Sequence, residues 1–170
     1  MKKTVFSVML VAMVALCSLS AQAQLSKGEK QVNIGVGLIG FGLNAAVQYG
    51  VIDDLGVGLY VGFERNSYGL GLIGVNYSTN SILIGPAATY HFNRVLNLNA
   101  DKFDLYVSGG ILFRSISYSD DYASLFGRST TGYDFLGRVG ANYNLSEKMR
   151  LFGDFGSGGS LIQAGISFKF

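Results

Sequence analysis

The stretch NAAVQYGVIDDLGVGLYVGFE, residues 44–64, decides the fold class of this chain. On both sides of Asp53 and Asp54, apolar residues alternate with small or polar residues at every second position. Successive side chains of a β-strand point to opposite faces, so this period of two indicates two strands. The Asp-Asp pair between them favours a turn. The stretch therefore predicts an antiparallel hairpin with one apolar face and one face of small and polar residues.

The same alternation continues in both directions and predicts eight strands. The predicted strands cover residues 31–38, 44–51, 55–64, 82–92, 103–114, 133–145, 150–156 and 161–170. Each is near the length of about 9–11 residues that a tilted strand needs to cross a bilayer. Three turns, at Asp53, at 93–102 and at Ser146, alternate with longer polar stretches at 65–80 and 117–131, which we expect to be outer loops. Short turns on one side and longer loops on the other are typical of membrane barrels.

The charged residues within the predicted strands separate a membrane barrel from a soluble one. A soluble, lipocalin-like barrel also alternates, but its outer face is rich in Lys and Glu. Here the second face is mostly Gly, Ala, Ser and Asn, which fit the interior of a narrow barrel. The sequence therefore predicts an all-β, eight-stranded antiparallel up-and-down transmembrane β-barrel. Eight charged strand residues fall on this inner face: Glu64, Asp104, Arg114, Asp134, Arg138, Arg150, Asp154 and Lys169.

The first 23 residues read as a cleaved signal peptide. Lys2 and Lys3 precede an apolar run over 5–16, and Ala21-Gln22-Ala23 places small residues at the two positions that a signal peptidase reads. We therefore expect cleavage before Gln24 and a barrel over residues 24–170. A lipid-modified Cys17 is the alternative, which the bulky residue before it disfavours. An uncleaved anchor would need about 18 apolar residues or more.

Composition excludes several classes of function. Cys17 is the only cysteine and leaves with the signal peptide, so no disulfide or thiolate metal site is expected. The chain has 13 basic and 11 acidic residues, and Lys2 and Lys3 supply the excess. A nearly neutral mature chain gives no support for nucleic acid as a partner. No cofactor is expected.

The residues 48–58, 85–92 and 165–170 carry a resemblance to a known family. These segments, QYGVIDDLGVG, GPAATYHF and GISFKF, resemble the small outer-membrane β-barrel family, the OmpX/OmpA-type eight-stranded group of Gram-negative bacteria. The resemblance implies an integral protein of the cell outer membrane, in contact with outer-membrane lipids and lipopolysaccharide. It also implies that Phe170 is part of the signal read by the barrel-assembly machinery. The family does not imply an activity, because its members serve many roles.

The inner face supplies the candidate site residues. A buried unpaired charge is costly, so we expect these groups to pair across strands. An ion-paired plug and a gate or small polar ligand site are both compatible with this arrangement. The candidates at the outer end are Glu64, Arg114, Asp134, Arg138 and Asp154. Those at the periplasmic end are His91 and Asp104, with Arg150 and Lys169 at similar height.

Aromatic residues of the predicted outer loops are the candidates for contact with a partner, because loops on a rigid scaffold often carry binding. They are Tyr68, Tyr77, Tyr118, Tyr122 and Phe126. The glycines of 156–159 lack the strand–helix context of a phosphate loop and are interpreted as turn residues. Pro86 cannot donate a ladder hydrogen bond, so a bulge or local defect is expected near it.

Three functions remain open from the sequence. The first is a non-enzymatic surface protein whose outer loops contact lipopolysaccharide, another envelope protein or a host surface ligand. The second is a narrow porin-like channel for small solutes, including hydrophobic ones that leave through the wall. The third is a lipid A-modifying enzyme, which the single histidine disfavours, since His91 is expected inside the periplasmic end. We expect no catalytic and no metal-binding residues.

Overall fold

The computed structural model describes residues 25–39, 41–70, 75–96, 102–118 and 129–170, without the side chains of 68–70 and 75–77. The predicted signal peptide, residues 1–23, lies outside these ranges. Among the described residues, no helix is long and apolar enough to cross a membrane.

Eight antiparallel strands form one closed barrel, as predicted. Each strand pairs with its sequence neighbours, and the last strand pairs with the first from Gln31↔Lys169 to Gly37↔Gln163. The strands are β1 (Lys30–Gly37), β2 (Phe41–Ile52), β3 (Leu55–Leu70), β4 (Val75–His91), β5 (Phe103–Tyr118), β6 (Ser129–Asn144), β7 (Met149–Ser157) and β8 (Ile162–Lys169).

Alternating burial shows which face of each strand points inward. In β2, Asn44, Ala46 and Gln48 are buried, whereas Val47 between them is 55% exposed. The small and polar face is therefore the interior, and the aliphatic and aromatic face covers the outside of the barrel. Two charged strand residues are exposed, Lys30 at the start of β1 and Arg65 in the second half of β3. The end of the barrel that contains Lys30 and Phe170 is the predicted periplasmic end, and the opposite end is the predicted outer end.

Aromatic pairs mark two levels on the outer face. Phe103 packs against Tyr143 with ring centroids 5.1 Å apart, and Phe113 packs against Tyr133 at 6.3 Å. The two pairs are about ten residues apart along β5 and β6. At about 3.3 Å per residue and a tilt of about 40°, this distance is about 25 Å along the barrel axis, the height of a lipid-facing apolar band.

Four strands extend beyond the outer aromatic level, which corrects the predicted loops at 65–80 and 117–131. β3 and β4 stay paired as far as Leu70↔Val75, and β5 pairs with β6 as far as Ser117↔Ser129. The alternation of apolar residues ends where lipid no longer contacts the wall of the barrel. The hydrogen bonds between the strand backbones do not depend on this alternation, so the strands continue beyond it. We call these extensions, residues 65–70, 75–80, 115–118 and 129–132, the raised wall.

Pro86 leaves a gap in the ladder without changing its register. Pairing of β4 with β5 stops at Ile84↔Phe113 and resumes at Ala87↔Gly110 in the same register, while Pro86 still lies opposite Leu59 on β3. The expected irregularity is therefore a local defect and not a bulge. The register shift that does occur lies between β2 and β3, at Gly50 and Ile52.

Candidate functional site

The outer end of the interior contains an arginine between two carboxylates. Arg114 Nη2 lies 2.8 Å from Glu64 Oε2, and its Nη1 lies 2.7 Å from Asp134 Oδ2. The three residues come from β5, β3 and β6, so the guanidinium bridges across the lumen. About 30% of the Arg114 side chain is exposed, which leaves this group in contact with water at the mouth.

The middle of the barrel contains a second, separate pair. Arg138 Nε lies 2.6 Å from Asp154 Oδ1, and the Tyr106 hydroxyl donates to Asp154 Oδ2 at 2.8 Å. We expected Arg138 and Asp154 at the same height as Arg114. The register instead places Arg138 opposite Ser108, near the middle of the membrane-spanning part of β5.

Asp104 is the centre of the polar contacts at the periplasmic end. Its Oδ2 accepts hydrogen bonds from His91 Nδ1 at 2.7 Å and Asn142 Nδ2 at 2.9 Å, and Arg150 Nη1 lies 3.5 Å away. The side chains of His91, Asp104 and Arg150 are all fully buried. Lys169 on β8 pairs with Glu29 at 3.0 Å.

Residues 25–29 close the periplasmic end, a feature that the sequence reasoning missed. This N-terminal strap is held by backbone hydrogen bonds from Asp54 to Leu25, at 3.0 Å, and between Gly28 and Gly50, at 2.8 Å. Leu25 is fully buried, and a Cβ on Gly56 would lie 2.7 Å from its Cδ2. The sequence offered one indication of this contact. Leu25 is an apolar residue in a polar segment, and the turn between β2 and β3 has a glycine on each side, Gly50 and Gly56.

The Asp53 carboxylate anchors the same strap from the hairpin turn. It accepts a hydrogen bond from the Lys27 backbone N–H at 2.9 Å, and Arg94 lies 3.5 Å away. The backbone hydrogen bond from Lys27 is the main reason that the pKa of Asp53 lies below its ordinary value, and the positive charge of Arg94 lowers it further.

Bulky side chains fill most of the remaining interior. Five inward residues are at most 7% exposed: Tyr60, Tyr106, Leu112, Leu136 and Phe152. Within the described ranges, no three His, Cys, Asp or Glu side chains are grouped so that they could hold a metal ion. The arrangement can pair charges and order water.

Comparisons with known proteins show the fold of the chain but no closer relationship to any of them. No protein-family profile and no curated protein matches the chain. The N-terminal β-barrel domain of Pseudomonas aeruginosa OprF is similar, with a TM-score of 0.53, 16% identity, and coverage of 85% of this chain and 98% of OprF's. Neisserial surface protein A (NspA) gives a TM-score of 0.55 at 15% identity, covering 84% of this chain and 95% of the other. Pseudomonas aeruginosa OprG gives 0.52 at 12% identity, covering 90% and 99%.

The chain has the fold of the small outer-membrane β-barrels. At identities of 12–16% the likeness shows the fold alone.

The barrel places three of the five predicted contact residues on strands instead of loops. Tyr68 and Tyr77 lie directly opposite each other in the raised wall, and Tyr118 ends β5 opposite Thr79. Tyr122 and Phe126 lie outside the described residues.

Phe170 closes the barrel seam at the periplasmic end. Its N–H donates to the Lys30 carbonyl at 2.9 Å, and its side chain is 73% exposed. Its part in recognition by the assembly machinery stays a prediction.

Proposed function

We propose that the chain is an integral, non-enzymatic protein of the outer membrane whose closed barrel supports a contact surface on the outer side. One observation carries this proposal: the apolar face of the barrel is exposed, while the charged residues of the strands, apart from Lys30 and Arg65, are paired inside. Val47, Ile111 and Val139, on three different strands, are 55%, 54% and 60% exposed. Soluble proteins rarely expose apolar patches of more than a few hundred Å², so lipid is the fitting surrounding for such a face.

The filled lumen favours a scaffold over a channel. Arg138 and Arg150 occupy the interior together with their carboxylate partners, and the N-terminal strap covers the periplasmic mouth. Eight strands leave an interior that side chains are just able to fill. The narrow channel remains the second candidate, because Arg114 reaches the outer mouth and is partly exposed.

The raised wall is the surface that we propose for contact with a partner. Its residues are mostly Ser, Thr, Asn and Tyr, which offer hydrogen-bonding groups and are uncharged. Its edge is also open: β6 pairs with β7 only from Gly137↔Ser157, so residues 129–134 have no neighbour on that side among the described residues. A polar envelope protein, lipopolysaccharide or a host surface molecule fits this surface.

The test is to express the full chain in a Gram-negative host, purify it from outer membranes and record conductance in planar bilayers. We expect a heat-modifiable gel band, which identifies a folded barrel, without discrete channels. Reproducible channels that change with Arg114→Gln, but not with the exposed control Glu147→Gln, would support the channel instead. Recovery of the chain outside the outer-membrane fraction would contradict the proposal, and an altered lipid A mass spectrum on overexpression would support the enzyme.

A further inference from the structure

The connection between β7 and β8 folds into the outer mouth of the barrel. Gly158 and Gly159 have φ values of 79° and 132°, which residues with a side chain rarely adopt. Gly158 is buried, and a Cβ on it would lie 2.8 Å from Leu136 Cα and 3.2 Å from Leu112 Cδ1. Residues 156–160 therefore lie on the side chains that fill the lumen.

Arg138 holds this connection by its backbone. The Nη1 atom donates to the Ser157 carbonyl at 3.2 Å, and Nη2 donates to the carbonyls of Ser160 at 2.8 Å and Leu161 at 3.4 Å. The same guanidinium pairs with Asp154 through Nε and is only 3% exposed. Because residues 156–160 are all Gly or Ser, polar contacts fix their position and apolar packing contributes little.

A chamber lined by both polar and apolar side chains lies below this connection, with Arg138, Asp154, Tyr60 and Gln163 among its polar lining residues. Its volume of about 30 Å³ has room for about two water molecules.

The opposite wall of the chamber contains a chain of hydrogen bonds. Gln48 Nε2 donates to Thr89 Oγ1 at 2.7 Å, and Thr89 Oγ1 lies 2.8 Å from Ser108 Oγ. The buried atoms Gln48 Oε1 and Asn44 Nδ2 have no hydrogen-bond partner within the described part of the chain. Buried polar atoms are almost always hydrogen-bonded, so these two point to a hydrated chamber.

We propose that residues 156–160 form a lid, closed by Arg138, over a hydrated chamber that receives small hydrogen-bonding solutes from the outer side. The direction of entry rests on the proposed outer-membrane orientation. Opening requires the loss of the Arg138 contacts to the lid carbonyls and of the Ser160 hydroxyl contact to the Ile39 carbonyl, at 2.8 Å. The strap at the other end keeps the chamber closed towards the periplasm. An open lid therefore lets solutes enter the chamber but not cross the barrel.

The test uses one cysteine below the lid, Ser108→Cys, in the full chain with Cys17→Ser as background. A small charged methanethiosulfonate is added to whole cells, and the rate of labelling is measured. We expect slow labelling with the lid closed, and labelling at least tenfold faster in Gly158→Val, because the new side chain cannot fit against Leu136. Gly132→Val is the matched control, since a Cβ at Gly132 meets nothing within 4 Å.

A second variant removes the latch itself. Arg138→Gln with Asp154→Asn avoids an unpaired buried charge and should also accelerate labelling at least tenfold. Only variants with the heat-modifiable band of a folded barrel are compared. The proposal would be overturned if folded Gly158→Val and the folded double variant were labelled no faster than the parent. It would also be overturned if Gly132→Val or the parent were labelled as fast as Gly158→Val. Absence of the chain from the outer-membrane fraction would instead contradict the proposed function.

Discussion

At the scale of single residues, Asp104 shows how an interior charge is tolerated. One carboxylate oxygen faces His91, Asn142 and Arg150, which come from β4, β6 and β7, so groups from three strands stabilise the charge at once. Removing one partner of a buried ion pair leaves the other charge uncompensated, at a cost of about 3–5 kcal/mol.

We therefore expect Asp104→Asn to destabilise the folded barrel by about 3–5 kcal/mol, because the buried Arg150 loses the attraction of the Asp104 carboxylate. The measurement is reversible urea unfolding in phospholipid vesicles. The exposed substitution Glu147→Gln should stay within about 0.5 kcal/mol. A loss in Asp104→Asn no larger than in this control would show that hydrogen bonds alone hold the cluster.

The strap anchor at Asp53 predicts a dependence on pH. The folded-state pKa of Asp53 lies below its ordinary value, so its stabilisation is fully present above about pH 4 and is lost as the pH falls through the lowered pKa. We expect the Lys27 amide signal in NMR spectra to titrate with a midpoint below about 3.9, the ordinary value for Asp. In Asp53→Asn this titration should disappear, and a midpoint at or above 3.9 would contradict the assignment.

At the scale of strands, contact between backbones decides where glycine is required. A Cβ on Gly85 would lie 2.1 Å from the Ile111 carbonyl oxygen, so β4 and β5 approach closely beside Pro86. A Cβ on Gly109 of the same strand pair would meet only the Leu136 carbonyl oxygen, at 3.9 Å. Gly85 and Gly109 are therefore a matched pair for measuring the effect of an added Cβ with and without a clash.

We expect Gly85→Ala to cost about 1–3 kcal/mol, because the two strands must move apart. Gly109→Ala should be nearly neutral. Both are measured as the folded fraction on heat-modifiable gels across a urea series. Equal effects of the two substitutions would show that the close approach beside Pro86 does not constrain the barrel.

At the scale of the whole molecule, the two aromatic levels define the membrane position. Val139 is opposite Val107 and Phe155, midway between the Phe103–Tyr143 and Phe113–Tyr133 pairs. We expect Val139→Arg to cost about 2–4 kcal/mol in vesicles, the value for a cation at the midplane of the bilayer. Thr131→Arg, on the same face of β6 but in the raised wall, should cost about 0–1 kcal/mol. Equal costs would place the barrel at another depth or outside lipid.

The sequence by itself determined the strand count, the closed antiparallel order and the inner and outer faces. Each of these depends on a period of two, which lipid outside and a narrow lumen inside impose on every spanning strand. The raised wall was missed because beyond the membrane only backbone hydrogen bonds maintain the strands, and they leave no apolar pattern.

Only the tertiary structure decided the contacts of Arg138 and the position of the N-terminal strap. Arg138 donates hydrogen bonds to Asp154 and to the carbonyls of Ser157 and Ser160, and Leu25 enters the periplasmic mouth beside Gly56. These contacts join residues that are distant in sequence or are backbone groups. They follow from strand register and from where short connections can fold inward, and neither is encoded in the alternation of apolar and polar residues.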